Sequence, residues 1–224
     1  KHCILLLLYE FINLPMPKPF PFLDANAFYA QTDVHQWAIL KDHPMLKHFP
    51  LRIPTRWLAK IDANNPKDPL LLQTLPLTAE GLDEPGYTTD PLQENQLSPH
   101  PGIIHKYHGR VLLLVTGACA IHCRYCFRRH FPYTNHAMKT DHWHDALTLV
   151  RQDSSIREVI LSGGDPLMLS DRPLFKLLDA IEAIAHVTTI RIHSRIPTVY
   201  PERLTQALQT RLAASRTHIV MVAH

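Results

Sequence analysis

The run TGACAIHCRYCFRRHFPY places Cys119, Cys123 and Cys126 within eight residues, spaced C-x3-C-x2-C. Thiolates are soft ligands, suited to zinc and to iron–sulfur clusters. Three are one short of the four that usually hold a [4Fe–4S] cluster. A cluster held by three leaves one iron without a protein ligand, open to bind and activate a small molecule. A disulfide between two of these cysteines would strand the third, and nothing marks the secretory context in which disulfides persist. A structural zinc site that recruits His122 or His130 is the stronger alternative. Such sites usually join two separated ligand pairs, and the sequence has no second Cys/His pair of that spacing. Cys3 lies far off in an apolar run and reads as a small buried hydrophobe.

Two other kinds of segment carry donors and acceptors. In SGGDP, Ser162 to Pro166, the glycines Gly163 and Gly164 let the backbone approach a ligand and adopt conformations that other residues resist. Asp165 adds a carboxylate that suits an amino group. An ordinary strand-to-helix turn would use the same residues. Lys106 and Arg110 flank Tyr107 and His108, and Arg128 and Arg129 follow Cys126. These cations suit phosphate or carboxylate, Arg128 through a bidentate fork. Solvated surface charge is the plain reading of each, and of Arg129 above all. Arg195, in the segment HSR, is a candidate anion ligand.

The elements that must position these residues are legible from residue 103 onward. VLLLV (Val111 to Val115), REVILS (Arg157 to Ser162), TTIRIH (Thr188 to His193) and THIVMVA (Thr217 to Ala223) read as strands. Between the first two, Thr140 to Gln152 reads as a helix capped by Thr140 or Asp141, with Trp143, Ala146, Leu147 and Val150 on one face. A second helix starts at Ser170 or Asp171, has Pro173 in its first turn, and buries Leu174, Leu177, Leu178 and Ile181. A third opens at Pro201 and carries Leu204, Leu208 and Leu212. Strand and helix alternating at this spacing predict right-handed βαβ units and a parallel sheet. The cysteines, SGGDP and HSR then follow three successive strands, at the carboxyl ends where α/β folds keep their active sites.

The rest of the chain is less specific. Its 224 residues are 19% charged and 46% hydrophobic, a globular composition. The net charge of +3 and the lack of a dense Lys/Arg block argue against nucleic acid. The opening KHCILLLLYEF is too short to span a bilayer and lacks a cleavage site for secretion, so a cytoplasmic protein without a membrane partner is expected. The chain starts with Lys, which suggests a fragment or a processed product. Residues 15–100 are proline-rich. Short helical pieces are expected at Asp33–Leu40, at Thr55–Ile61 and within PKDPLLLQTLPL, and EGLDEPGYTTDPLQENQLSPHPG reads as a surface connector. The expected division is a helical and irregular region over 1–102 and an α/β region over 103–224.

Taken together, HKYHGRVLLLVTGACAIHCRYCFRRHFPY, LSGGDPLMLSD and TTIRIHSRIPTVYPERLT resemble the lysine 2,3-aminomutase family of radical S-adenosylmethionine (SAM) enzymes. NPKDPLLLQ, GYTTDPL and CRYCFRRHFPY are most similar to the branch that makes β-lysine for modifying translation elongation factor P. The resemblance spans roughly residues 50–224. It implies a partial (β/α) barrel of about four parallel strands here, incomplete, after a helical N-terminal region. It implies a [4Fe–4S] cluster on Cys119, Cys123 and Cys126, with SAM on the open iron and near Ser162, Gly163, Gly164 and Asp165. One-electron reduction by a donor such as flavodoxin or ferredoxin would cleave SAM to a radical that takes hydrogen from Cβ of L-lysine. Pyridoxal 5′-phosphate (PLP) would carry the migrating nitrogen. Arg128 matches the arginine for the substrate carboxylate. Lys106, Tyr107 and Arg110 match a group at the PLP phosphate, and Arg195 is expected to face PLP. The resemblance also allows a homo-oligomer.

In that family the lysine that holds PLP covalently, and the acids that bind the substrate ε-amino group, lie far toward the C-terminus. None of the nine lysines here stands in a matching motif. The catalytic lysine is therefore unassigned, and the chain is expected to be an incomplete piece that does not isomerise lysine alone. An aminomutase acting on glutamate or arginine, and a non-catalytic metal-binding fragment, are the alternatives.

Overall fold

The structure is a computed structural model that describes residues 22–23 and 49–224, apart from 63–64, 77–79, 81, 83, 98–99 and 132–142. The described residues fall into two compact units. The division differs from the expected break at 102. Cys119–Phe131 leave the sheet-bearing unit and join the residues up to Gln93, while Glu94–Ala118 belong with the sheet.

In the unit that holds the cysteines, β1 (Phe22–Leu23) pairs antiparallel with β2 (Ile53–Pro54), and α1 (Thr55–Leu58) follows at once. The helix expected over Thr55–Ile61 is thus a single turn. The helix expected in PKDPLLLQTLPL is reduced to a 3-10 turn at Leu71–Gln73. Pro66, Pro69 and Pro76 each remove a backbone donor from that stretch. The buried carboxylate of Asp68 organises it instead, accepting the backbone N–H groups of Leu70 at 2.9 Å and Leu71 at 2.8 Å. Leu51, Ile53, Trp57, Leu71 and Leu75 are buried around this turn. The piece expected at Asp33–Leu40 lies outside the described residues.

The other unit is a five-stranded sheet in chain order: β3 (Ile103–Tyr107), β4 (Arg110–Thr116), β5 (Glu158–Gly163), β6 (Thr189–Ser194) and β7 (His218–Ala223). β3 and β4 form an antiparallel hairpin through His108 and Gly109, and β4 to β7 run parallel. The connections are α2 (Trp143–Gln152), α3 (Asp171–Glu182), the short α4 (Ile196–Val199) and α5 (Gln206–Ala213). Val111, Leu113, Val159, Leu161, Ile190 and Ile192 alternate along the strands and are almost fully buried. The same holds for Leu147, Val150, Leu174, Leu177, Leu178, Ile181 and Leu208 of the helices. This is the strand–helix repeat of a partial (β/α) barrel.

The helix expected from Pro201 is corrected. Pro201–Arg203 form a 3-10 turn, and α5 begins only at Gln206, where the Thr205 hydroxyl accepts the Leu208 N–H at 3.2 Å. A true N-cap outcompetes the proline as a start.

Candidate functional site

The segments SGGDP and HSR lie at the carboxyl ends of β5 and β6, and the cysteine loop follows β4 in the chain. β5 ends at Gly163, which pairs with Thr116 of β4. Its φ of +109° is one that side chains rarely adopt. A Cβ there would lie 2.7 Å from the Thr116 carbonyl oxygen. A Cβ on Gly164 would collide with the Ala118 carbonyl and lie 2.8 Å from the Gly117 carbonyl carbon. Gly163 is thus required by the backbone of β4, and Gly164 by that of the two residues after it. That close approach lets Gly164 N–H donate to Thr116 O at 2.6 Å and Asp165 N–H to Ala118 O at 2.8 Å, carrying the pairing past the end of the strand.

Asp165 turns its carboxylate into the protein. It accepts the Leu167 N–H at 3.0 Å, the Ser194 hydroxyl at 2.7 Å, the Arg195 N–H at 2.8 Å and the Ile196 N–H at 3.2 Å. Burial pushes this carboxyl up from its ordinary value, and these hydrogen bonds pull it back. Asp165 therefore ties the turn after β5 to the turn after β6. Arg195 is buried beside it, and Ser162, the last residue before the glycines, is buried as well.

Arg203 was not singled out in the sequence, although its guanidinium is buried here. Its Nε–H donates to Leu167 O at 3.0 Å, one Nη to Leu169 O at 2.8 Å, and the other pairs with Asp171 at 2.7 Å. The loop after SGGDP is held by this fork.

Cys119, Cys123 and Cys126 form no disulfide, and each is half-buried. They lie on a loop without helix or strand. Its shape is set by partners far back in the chain. His122 N–H donates to Arg52 O at 3.0 Å and Arg124 N–H to Gln73 O at 2.8 Å. The His122 ring stacks on Phe49 at 4.5 Å and bonds the Pro50 carbonyl at 2.6 Å. Burial holds that imidazole below its usual range. His122 thus has a packing role.

Within the loop, Cys126 N–H donates to Cys123 O at 3.0 Å, and Arg129 N–H to Cys126 O at 3.1 Å. Burial pushes the Cys126 thiol up, while the Arg128 N–H and the charges of Arg128 and Arg129 pull it down. Arg128 is buried and lies over the Phe127 ring at 4.6 Å. Arg129, read as a plain surface charge, is instead largely buried.

Among the described residues no three His, Cys, Asp or Glu side chains converge on a single ion. The ligands of a cubane each bind a different iron and need no such convergence. Three thiols outside any disulfide, on a fastened, arginine-rich loop, fit a cluster of that kind.

The group Lys106, Tyr107, Arg110 and Arg195 is not brought together. The first three lie on the β3–β4 hairpin, and Arg110 opens β4 opposite Glu158. Arg195 follows the other end of β6, so the two places are separated by a strand length, roughly 20 Å. Arg110 lines an open cavity of about 800 Å³ with Arg157, Arg191, His108, His218 and Glu158. Glu158 alone meets two of these cations, Arg191 at 2.6 Å and Arg110 at 3.4 Å. The excess positive charge suits a phosphate. For PLP the match stops there. The described lysines, Lys60, Lys67, Lys106 and Lys176, are all exposed, and none stands at a carboxyl strand end.

Among the described residues no helix is long and apolar enough to cross a membrane. Residues 113–215 match the radical SAM superfamily model. The chain is 48% identical over 178 residues to the L-lysine 2,3-aminomutase of Escherichia coli K12, covering 80% of this chain and 52% of that protein. It is 45% identical over 178 residues to the enzyme of that name from Haemophilus influenzae, covering 80% and 53%. With the one from Clostridium subterminale it shares 38% over 168 residues, covering 75% and 40%. The chain thus spans about half the length of the first two. The radical SAM match implies a [4Fe–4S] cluster and SAM, for which the cysteine loop after β4 supplies thiol ligands. Residues 113–215 thus form a radical SAM domain, in a chain homologous to the L-lysine 2,3-aminomutases.

Proposed function

We propose that this chain belongs to a radical SAM isomerase that converts L-lysine to β-lysine, the product serving to modify translation elongation factor P. The observation that carries the reading is the loop of three half-buried cysteines, none in a disulfide, after the first parallel strand, in a chain whose relatives bear the name L-lysine 2,3-aminomutase. The elongation-factor branch rests on the resemblance of NPKDPLLLQ, GYTTDPL and CRYCFRRHFPY.

When bound, the cluster supplies the electron that cleaves SAM, and PLP supplies a carrier for the migrating nitrogen. The chain's own residues divide the remaining work. Cys119, Cys123 and Cys126 each hold one iron. Ser162, Gly163 and Gly164 offer backbone groups to SAM. Asp165, its oxygens already committed, orients that segment from behind. Arg128 reads the amino-acid carboxylate with a planar fork. Arg110 and its cavity lie at the strand ends opposite Ser162–Gly164, so no step is assigned to them or to a described lysine. A one-electron donor such as flavodoxin or ferredoxin is the expected partner.

The test is anaerobic reconstitution followed by incubation with SAM, dithionite, PLP and, in parallel, Cβ-deuterated lysine, glutamate or arginine. The proposal expects four iron and four sulfide per chain, as the cluster type requires. In protein that also carries the PLP lysine and the acids for the ε-amino group it expects deuterium in 5′-deoxyadenosine from lysine alone; in the chain itself it expects loss of the cluster in Cys123→Ala with no change in Cys3→Ala. Stoichiometric zinc without a cluster would refute the radical reading. Deuterium from glutamate or arginine instead would reassign the substrate.

A further inference from the structure

The loop between Cys123 and Cys126 has a single arginine inside it that reaches a carboxylate, and that carboxylate comes from outside the motif. The Arg124 Nε–H donates to Glu80 Oε1, and Arg129 pairs with Glu80 Oε2 at 2.7 Å. Glu80 lies 44 and 49 residues before them in the chain. Its two oxygens are shared between two guanidiniums, one on each side of Cys126. The arginines are tied to each other as well, because Arg129 Nη donates to Arg124 O at 3.1 Å. Arg124 also reaches Leu72 O at 3.4 Å, and the Arg129 guanidinium lies over the Phe49 ring at 5.5 Å. All three charged side chains are largely withdrawn from water, Glu80 at 16%, Arg129 at 12% and Arg124 at 28% exposure. An ion pair so placed is weakly screened.

We infer that Glu80 is a positioning residue for the cluster: it clamps the Cys123–Cys126 turn through Arg124 and Arg129, and its negative charge sets the cluster's reduction potential. The inference rests on the cluster assignment. Geometry supplies the clamp, since the loop has no helix or strand to fix it and Glu80 joins its two ends. Charge supplies the tuning. Potentials of iron–sulfur clusters follow net charge, hydrogen bonding and solvent exposure around them. Reduction adds a negative charge, so a fixed carboxylate nearby disfavours it and a fixed guanidinium favours it.

The two sides of the pair give opposite signs, which a merely structural role does not. Glu80→Gln keeps the side chain's size and removes a negative charge, and Arg129→Gln removes a positive one. The experiment reconstitutes the full chain and both variants anaerobically. It then measures iron and sulfide, the midpoint potential by dye-mediated titration with electron paramagnetic resonance, and the rate of iron release to bathophenanthroline. The expected result is several-fold faster release in both variants, with a potential shifted up in Glu80→Gln and down in Arg129→Gln. Unchanged potentials, or shifts of the same sign in both, overturn the inference. Should Glu80→Gln fail to fold, the direction in Arg129→Gln decides: a fall in potential supports the inference, and a rise or no change overturns it. Absence of a cluster in the unmodified chain would instead remove the assignment on which this stands.

Discussion

The carboxylate of Asp165 accepts the backbone N–H of Arg195, thirty residues further along the chain, at 2.8 Å. An acid at the end of one strand thus fixes the backbone at the end of the next. Read in the sequence alone, Asp165 looks like a ligand for an amino group. In the fold its oxygens face inward and are occupied.

Replacing Asp165 by Asn should destabilise the protein by about 3 kcal/mol, because an amide turns donors toward buried N–H groups that need an acceptor. Ser194→Ala, which removes one donor and leaves the others, should cost about 1 kcal/mol. Urea unfolding at neutral pH followed by circular dichroism measures both. A cost for Asp165→Asn no larger than that of Ser194→Ala would show that the carboxylate is not the tie between the strand ends.

Gly164→Ala should be more harmful than most glycine replacements. The added methyl meets backbone at Ala118 and Gly117, which has no rotamer to yield. A loss of about 3 kcal/mol is expected from such overpacking. Gly163→Ala adds an unfavourable φ to a contact with Thr116 O. Thermal melts compared with Gly86→Ala, where a Cβ meets no atom within 4 Å, separate crowding from backbone strain.

Arg203→Lys should not substitute for arginine. A single ammonium cannot serve the Leu167 and Leu169 carbonyls and Asp171 together, as the guanidinium fork does. A loss of about 2 kcal/mol is expected. Amide hydrogen exchange should speed up first at Leu167–Leu169. Uniform acceleration across the whole sheet would contradict a local clamp.

These sites mark how far the sequence could be read. The four parallel strands were legible because Val111, Val159 and Ile190 belong to short apolar runs bounded by turn residues. The helix over Asp171–Glu182 announced itself through Ser170, Pro173 and a clear apolar stripe. The cysteine triplet was legible because its chemistry is local, three thiols in eight residues. Glu80, Arg203 and the inward turn of Asp165 were not. Each acts on a partner about thirty or more positions away, and no periodicity links Glu80 to Arg124 before the chain is folded. Proline at 66, 69 and 76 likewise hid the ordered turn that Asp68 builds.

In metal-free protein the Cys126 thiol should react slowly. Burial raises Cys126, so at a given pH it holds less thiolate, the reactive form, than an unperturbed cysteine. Alkylation by iodoacetamide at neutral pH, read by mass spectrometry, should label Cys126 more slowly than a free-cysteine peptide. The gap should close as pH rises through the elevated value. Labelling of Cys126 at the peptide's rate at neutral pH would contradict this.

Arg128→Lys should separate two steps of the proposed reaction. The fork that grips a carboxylate is lost while the cluster ligands are untouched. Lysine binding should weaken more than tenfold, a change of roughly 1.4 kcal/mol or more, with reductive SAM cleavage in the absence of lysine little altered. Equal damage to both would place Arg128 at the cluster or SAM instead.

The cysteine loop rests on Arg52, Gln73 and Glu80 for its shape, all of which precede Cys119 in the chain. The portable unit is therefore longer than the motif. Transplanting Val111 to Phe131 into a foreign parallel sheet would import the thiols and leave behind the surface that folds them. A graft that also carried residues 49–80 would bring its own mould. Engineers who wish to move this metal-binding loop, or to trim the protein toward its smallest competent form, should count that proline-rich stretch as part of the metal-binding device.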